Sequence, residues 1–136
     1  MTEPGLTSGK ILLLGLDDPS MAALCAILAE QSHSVSVEPF PTPEQTSSAA
    51  MTDAEVVCCP AELRQYNAVV RSMREKGSTA AVVVVSSSTD VHEWLDAIEA
   101  GAWDYVSAPF EPKHIQHVLE NALRRAAGLA LAASRT

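Results

Sequence analysis

The stretch from Ala80 to Phe110, AAVVVVSSSTDVHEWLDAIEAGAWDYVSAPF, restricts the fold more than any other part of the chain. It opens on six apolar residues, four of them consecutive valines. The run is too short for a long helix and too β-branched to favour one, so it predicts a buried strand. Ser86, Ser87, Ser88 and Thr89-Asp90 then break the run and supply caps. Asp90 with Glu93 three positions on has the form of a capping box. Val91, Leu95 and Ile98 recur at helical spacing, which predicts a helix laid over the strand with these as its buried stripe. Gly101 ends that helix. Tyr105 and Val106 begin another strand, and Ala108-Pro109 stops it. Strand, loop, helix and strand in this order form a βαβ unit with a right-handed crossover. Ligands of such sheets sit at the carboxyl ends of the strands, where Ser86 to Ser88 and Ser107-Ala108 fall.

The same alternation runs through the rest of the chain. Met1 to Gly9 is read as a loose leader. Lys10 to Gly15 (KILLLG) is a fully buried strand. Leu16 to Ser20 leads into a helix, with Asp18 as its cap and Pro19 at the first helical position. Met21 to Glu30 carries an apolar face for the sheet. Ser34 to Val37 alternates like an edge strand. Pro39, Pro41 and Pro43 forbid regular structure between them. Thr42 with Gln45 is positioned to cap a short second helix reaching about Ala50. Glu55 to Cys59 is the third strand, and Ala61 to Lys76 a helix ended by Gly77. After the βαβ stretch, Pro112 starts the last helix. The sum is (βα)5: an α/β, flavodoxin-like three-layer sandwich with a parallel sheet in the order 2-1-3-4-5. The expected division is a leader over 1–9, one domain over 10–127, and a helix end or linker over 128–136.

Composition narrows the functions. The 136 residues suit one domain with a real core. Seventeen acidic against nine basic residues, net -8, argue against binding nucleic acid or an anionic membrane, whose phosphates would be repelled. No apolar run has the length of a membrane span, and nothing at the start has the form of a signal peptide. Cys25, Cys58 and Cys59 are odd in number, and adjacent Cys58 and Cys59 point to opposite faces of a strand. Reduced thiols in a cytoplasmic protein are expected.

At this point the residues resemble the receiver domain of two-component response regulators. "EAGAWDYVSAPF" is similar to that family's EAGADDYLxKPF, "LDDPS" follows strand one as in the family, and the spacing from Ser86 to Ala108 matches the distance between its strand-four hydroxyl and strand-five lysine. The resemblance spans Lys10 to Arg125. It implies phosphoryl transfer from a histidine kinase to an aspartate at the end of strand three. Mg²⁺ held by acids after strand one, the lysine and the hydroxyl absorb the charge.

The chain departs from that pattern at most of these places. Aligned on Asp18-Pro19-Ser20, the family's acid pair becomes Leu16 and Asp17. Pro60 takes the nucleophile's place, or Cys59 or Val56 if the short following loop shifts the alignment; none is an acid. The lysine position is Ala108. Ser86 survives as the hydroxyl, and Tyr105 resembles the family's switch aromatic. Proline and cysteine cannot form an acyl phosphate. A vestigial acidic pocket of Asp17 and Asp18 is a poor Mg²⁺ site, because Mg²⁺ gives up water reluctantly. Pro109 resembles the family's Lys-Pro bond, which is usually cis.

Other features have plainer readings. Asp18 is a cap rather than a cation ligand, and Ser86 to Ser88 a capping loop rather than an anion site. Cys58 and Cys59 are small buried hydrophobes, since zinc needs spaced cysteines and a second pair. His33, His92, His114 and His117 are scattered, and His114 with His117 marks a solvated helix face. Trp94, Trp103, Tyr105 and Phe110 mark either an interaction face or local packing. The resemblance points to the same face, formed by helix four, strand five and helix five. Ile115, Leu119, Ala122, Ala126 and Leu129 form a weak coiled-coil seam, which serves a dimer stem, a linker to an output module, or nothing if the helix frays after Arg125.

The leading expectation is a non-enzymatic pseudo-receiver: a degenerate, phosphorylation-independent module without cofactor or metal. It works through a protein partner or an output module, with a homodimer as one possibility. The alternative is a conventional receiver using Asp53, Glu55 or Glu62. A flavin or nucleotide binder would need a Gly-rich loop after Gly15, which the chain lacks.

Overall fold

The computed structural model describes residues 10–29, 34–38, 54–61, 66–75, 80–87 and 90–134. The expected leader, the proline-rich stretch after strand two and the short helix near Ala50 lie outside them. Five strands, β1 (Lys10–Leu14), β2 (Ser34–Glu38), β3 (Val56–Pro60), β4 (Ala81–Ser86) and β5 (Asp104–Ser107), alternate with helices α1 (Asp18–Leu28), α2 (Tyr66–Glu75), α3 (Val91–Ala100) and α4 (Pro112–Ser134). All strand pairs are parallel, and the sheet order is 2-1-3-4-5, as expected.

Strand residues alternate between two cores because successive side chains leave opposite faces of a pleated sheet. Ile11, Leu13, Val56, Cys58, Val83 and Val85 pack with α1 and α4. Leu12, Leu14, Val57, Cys59, Val82 and Val84 pack with Tyr66, Val69, Val70 and Met73 of α2 and with Ala97 of α3. Cys58 and Cys59 therefore part to opposite layers, as the sequence requires. Sheets covered on both faces carry continuous apolar strands, which is why VVVV and ILLL read so clearly.

Several boundaries differ from the expectation. α1 begins one residue earlier, because Asp17 rather than Asp18 is its cap: Asp17 Oδ1 accepts the Ser20 N–H at 2.8 Å. Asp18 and Pro19 then occupy the first turn. β3 is displaced by one residue, from Val56 to Pro60. Ala61 lies outside the helix, and its N–H donates to the Val85 carbonyl at 3.0 Å. α4 does not fray after Arg125; its 23 residues run to Ser134, about 34 Å. Ile115, Leu119 and Ala122 of the expected seam are buried in the domain's own core, so they do not form a free dimer stem.

The largest departure is α3. Val91, Leu95 and Ile98, read as a buried stripe, lie on the outside with Trp94. Ala97 is the buried residue of this helix. Gly101 closes α3 in a left-handed conformation with φ 113°. A Cβ there would stand 2.5 Å from the Arg74 guanidinium and 3.0 Å from Val70 Cγ1. Gly101→Ala is therefore expected to cost about 1–2 kcal/mol, chiefly from backbone strain, since the arginine tip can move aside. Denaturant unfolding checks this; a neutral result would mean that the turn re-forms another way.

Candidate functional site

The carboxyl ends of β1, β3 and β4 surround a cleft of about 210 Å³. The β1–α1 turn contributes Leu16, Asp17 and Ser20; the end of β3 contributes Pro60 and Ala61; β4 contributes Val85, Ser86 and Ser87; and α3 contributes Glu93. The positions that the sequence singled out after strands one, three and four thus meet at one edge. Ala108 lies just past β5, where its N–H donates to the Ser86 carbonyl at 3.1 Å. It brings no charge, and the Ala108-Pro109 bond is cis, as the resemblance implies.

Asp17 is exposed but committed. Hydrogen bonds from Ser20, first from its side chain and then from its backbone N–H, hold the carboxyl below its ordinary value. Pro60 is buried at the tip of β3, opposite Val85. Neither neighbouring thiol offers a substitute nucleophile. Burial pushes Cys58 up to about 12, and burial together with Cys58 pushes Cys59 higher still. Glu55 stands at the other end of the strand, where its Oε1 accepts the Lys10 N–H at 3.0 Å. A strand of five residues rises about 16 Å, so Glu55 does not reach the cleft. Asp53 and Glu62 lie outside the described residues.

Sequence reading missed the role of Glu93. Asp90 caps α3 as expected, accepting N–H bonds from His92 at 2.9 Å and Glu93 at 3.3 Å. Glu93 does not complete the capping box. Its Oε1 instead accepts from the Ser86 hydroxyl at 2.8 Å and from the Tyr105 hydroxyl at 2.5 Å. One carboxylate thereby ties α3 to the ends of β4 and β5. A glutamate at this helical position suits either role, and only the nearness of two hydroxyls decides between them. A hydroxyl has one proton to donate, and the Ser86 proton is directed to Glu93. Asp17 and Glu93 are the charged groups among the described residues of the cleft, and both are acidic.

The clasp leaves a titration signature. Burial first, and the bond to Glu93 second, push the Tyr105 phenol up to about 12. Folding thus favours the neutral phenol. That stabilisation is complete below the ordinary value of 10 and is lost as pH rises from 10 through 12. In Glu93→Gln, the ultraviolet titration midpoint of Tyr105 is expected to fall toward 10 but not reach it, because burial persists. An unmoved midpoint would show that Glu93 does not govern the phenol.

The four aromatic residues considered as one face separate. Trp94 is exposed. Trp103 packs against the inner core with the Arg125 guanidinium 4.7 Å above its ring. Tyr105 is buried in the clasp, and Phe110 packs against the core. Ile115, Val118 and Leu119 of α4 share the core that holds Val106 of β5. His117 Nε2 bonds Asn121 Nδ2 at 3.1 Å on an exposed helix face. Among the described residues no group of three His, Cys, Asp or Glu is placed to hold a metal ion, and no helix is long and apolar enough to cross a membrane.

No family model matches the chain, and no curated protein matches it in sequence. Solved structures do match its fold. NtrX from Brucella abortus, in complex with ADP, superposes with a TM-score of 0.77 at 18% identity, covering 93% of this chain and 29% of that one. A response regulator receiver protein from Pseudoalteromonas atlantica gives 0.62 at 22% identity, over 85% of this chain and 97% of that one. The BeF3-activated DrrB receiver domain gives 0.66 at 24% identity, over 86% and 98%. The chain therefore spans less than a third of the NtrX chain and nearly all of the two isolated receivers. At these identities the likeness establishes the receiver fold.

Proposed function

We propose that this chain is a receiver-like module of two-component signalling that no longer accepts phosphate, catalyses no reaction and acts by protein-protein contact. The observation that carries this reading is the Glu93 clasp. An internal carboxylate takes the Ser86 proton that a bound phosphoryl oxygen would need. Pro60 at the tip of β3 supplies no attacking oxygen, and Ala108 supplies no cation. An incoming phosphate would meet Asp17 and Glu93 with no described positive group to offset them.

The residues present do not fit Mg²⁺ either. Asp17 is engaged by Ser20 and Glu93 by two hydroxyls, whereas Mg²⁺ demands near-octahedral oxygen ligands. The share of NtrX that this chain spans supports a module that serves an output unit, on the same chain or another.

Incubation with acetyl phosphate and Mg²⁺, followed by intact mass measurement, tests the reading. The mass is expected to stay unchanged. A gain of one phosphate that vanishes on replacing a single acid would establish a conventional receiver instead.

A further inference from the structure

We propose that the amino-terminal edge of the sheet holds a binding site for a small carboxylate with a short apolar body. The inference goes beyond the reading above and does not depend on it. A cavity of about 220 Å³ lies between Ala80, Ala81 and Val82 at the start of β4, Ala102 and Trp103 in the turn before β5, and Arg125 of α4. β4 rises about 20 Å over its six residues, so this cavity and the acidic cleft at Ser86 sit at opposite ends of the sheet. Its volume equals that of about seven waters in the liquid, enough for a small metabolite. Trp103 stands where the similar EAGADDYLxKPF pattern has an aspartate, so the indole belongs to this chain rather than to that pattern.

The free donors select the ligand. The Trp103 indole nitrogen is buried and has no hydrogen-bond partner among the described residues. A buried donor without an acceptor is costly, and a ligand oxygen would remove that cost. The Arg125 guanidinium stands 4.7 Å above the same ring. A guanidinium held over an aromatic face keeps its rim of N–H groups free, and that rim matches the two oxygens of a carboxylate. Arg125 makes no ion pair among the described residues, although acids outnumber bases 17 to 9 in the chain. Arg74 brings a second guanidinium against Gly101, which also lines the cavity. The acids closest in the fold are engaged: Asp104 accepts the Tyr105 N–H at 2.7 Å, and Glu55 the Lys10 N–H at 3.0 Å. Main-chain donors are occupied too, since the N–H groups of Ala81, Gly101, Ala102 and Trp103 all bond to carbonyls. One neutral and one cationic side-chain donor remain, which suits a single negative charge. The alanines and Val82 favour an apolar body over further charge, and so a carboxylate over a phosphate.

The test uses the full chain labelled with ¹⁵N and benzoate as the probe. The chain has two tryptophans, so two indole N–H signals are present, and Trp103→Phe identifies the one from Trp103. Benzoate is expected to move the Trp103 signal saturably and to leave the Trp94 signal in place. Benzamide lacks the charge and inorganic phosphate lacks the apolar body; each is expected to bind roughly tenfold more weakly or worse. Arg125→Gln, at an exposed site, is expected to weaken benzoate by roughly tenfold or more. Trp103→Phe keeps a ring beneath the guanidinium and removes the N–H; calorimetry is expected to show benzoate roughly threefold weaker or worse. Circular dichroism and melting temperature check that both variants fold. No saturable shift, or an equal shift of Trp94, overturns the site. Benzamide or phosphate binding as tightly as benzoate overturns the carboxylate assignment. Benzoate affinity unchanged in either folded variant overturns the site as drawn.

Discussion

At about pH 8, one of the three cysteines is expected to react with an alkylating reagent in the folded protein, and all three in denaturant. The thiolate is the reactive form. With Cys58 at about 12, its thiolate fraction at this pH is on the order of 10⁻⁴, against roughly a tenth for a thiol at the ordinary value of 9. The deficit is about three orders of magnitude, and Cys59 lies beyond it. Both thiols are also shut inside the sheet layers, so the reagent must wait for local opening. Cys25, half-buried on α1, is not shut inside the sheet layers.

Timed labelling with intact mass readout measures this directly. Equal native rates for all three would mean that β3 does not sit at the centre of the sheet. The sign of the linkage adds a second readout. Both shifts are upward from an ordinary value of 9, so this stabilisation is present below pH 9 and fades as pH climbs toward 12. Together with Tyr105 it places the expected loss of stability on the alkaline side.

Leu13→Ala is expected to destabilise the fold by about 3–5 kcal/mol, and Leu95→Ala by less than about 1 kcal/mol. Leu13 is fully buried in β1 among Leu24, Cys58, Val83 and Leu119, and rigid neighbours on both sides prevent collapse around the lost atoms. Leu95 loses contacts that are already shared with water. Urea unfolding of the two variants checks the contrast. Comparable losses at both sites would place Leu95 in the core and do away with the outward-facing apolar strip of α3.

These two leucines show where sequence reasoning held and where it stopped. The strands were legible because an apolar run buried on both faces has no orientation left to choose. Their alternation with helices then set the order of the sheet, since parallel neighbours need crossovers of one hand. The edge holding Leu16, Asp17, Pro60 and Ser86 followed from that topology. Gly101 was legible as a stop because its backbone conformation strains any side chain.

The orientation of α3 was not legible. Its apolar spacing normally signals the inward face, and Val91, Leu95 and Ile98 satisfied that pattern as well as any core helix. The missing information was the space above β4 and β5. Ala97, fully buried in the core that also holds Val82, Val84 and Tyr105, marks the side of the helix that faces the sheet. Two hydroxyls from different strands waited at its end for one acceptor. The cap of α1 was decided in the same way, since Asp17 and Asp18 are equivalent in composition and differ only in which one the Ser20 N–H meets.

Sequence alone determined a five-stranded parallel sheet whose carboxyl edge gathers Leu16, Asp17, Pro60 and Ser86. Tertiary structure alone decided that Glu93 turns inward and an apolar strip turns outward. The physical reason is that burial against a sheet is dictated within each strand, whereas the rotation of a helix depends on partners distant in sequence: Ser86, Tyr105 and the core that encloses Ala97.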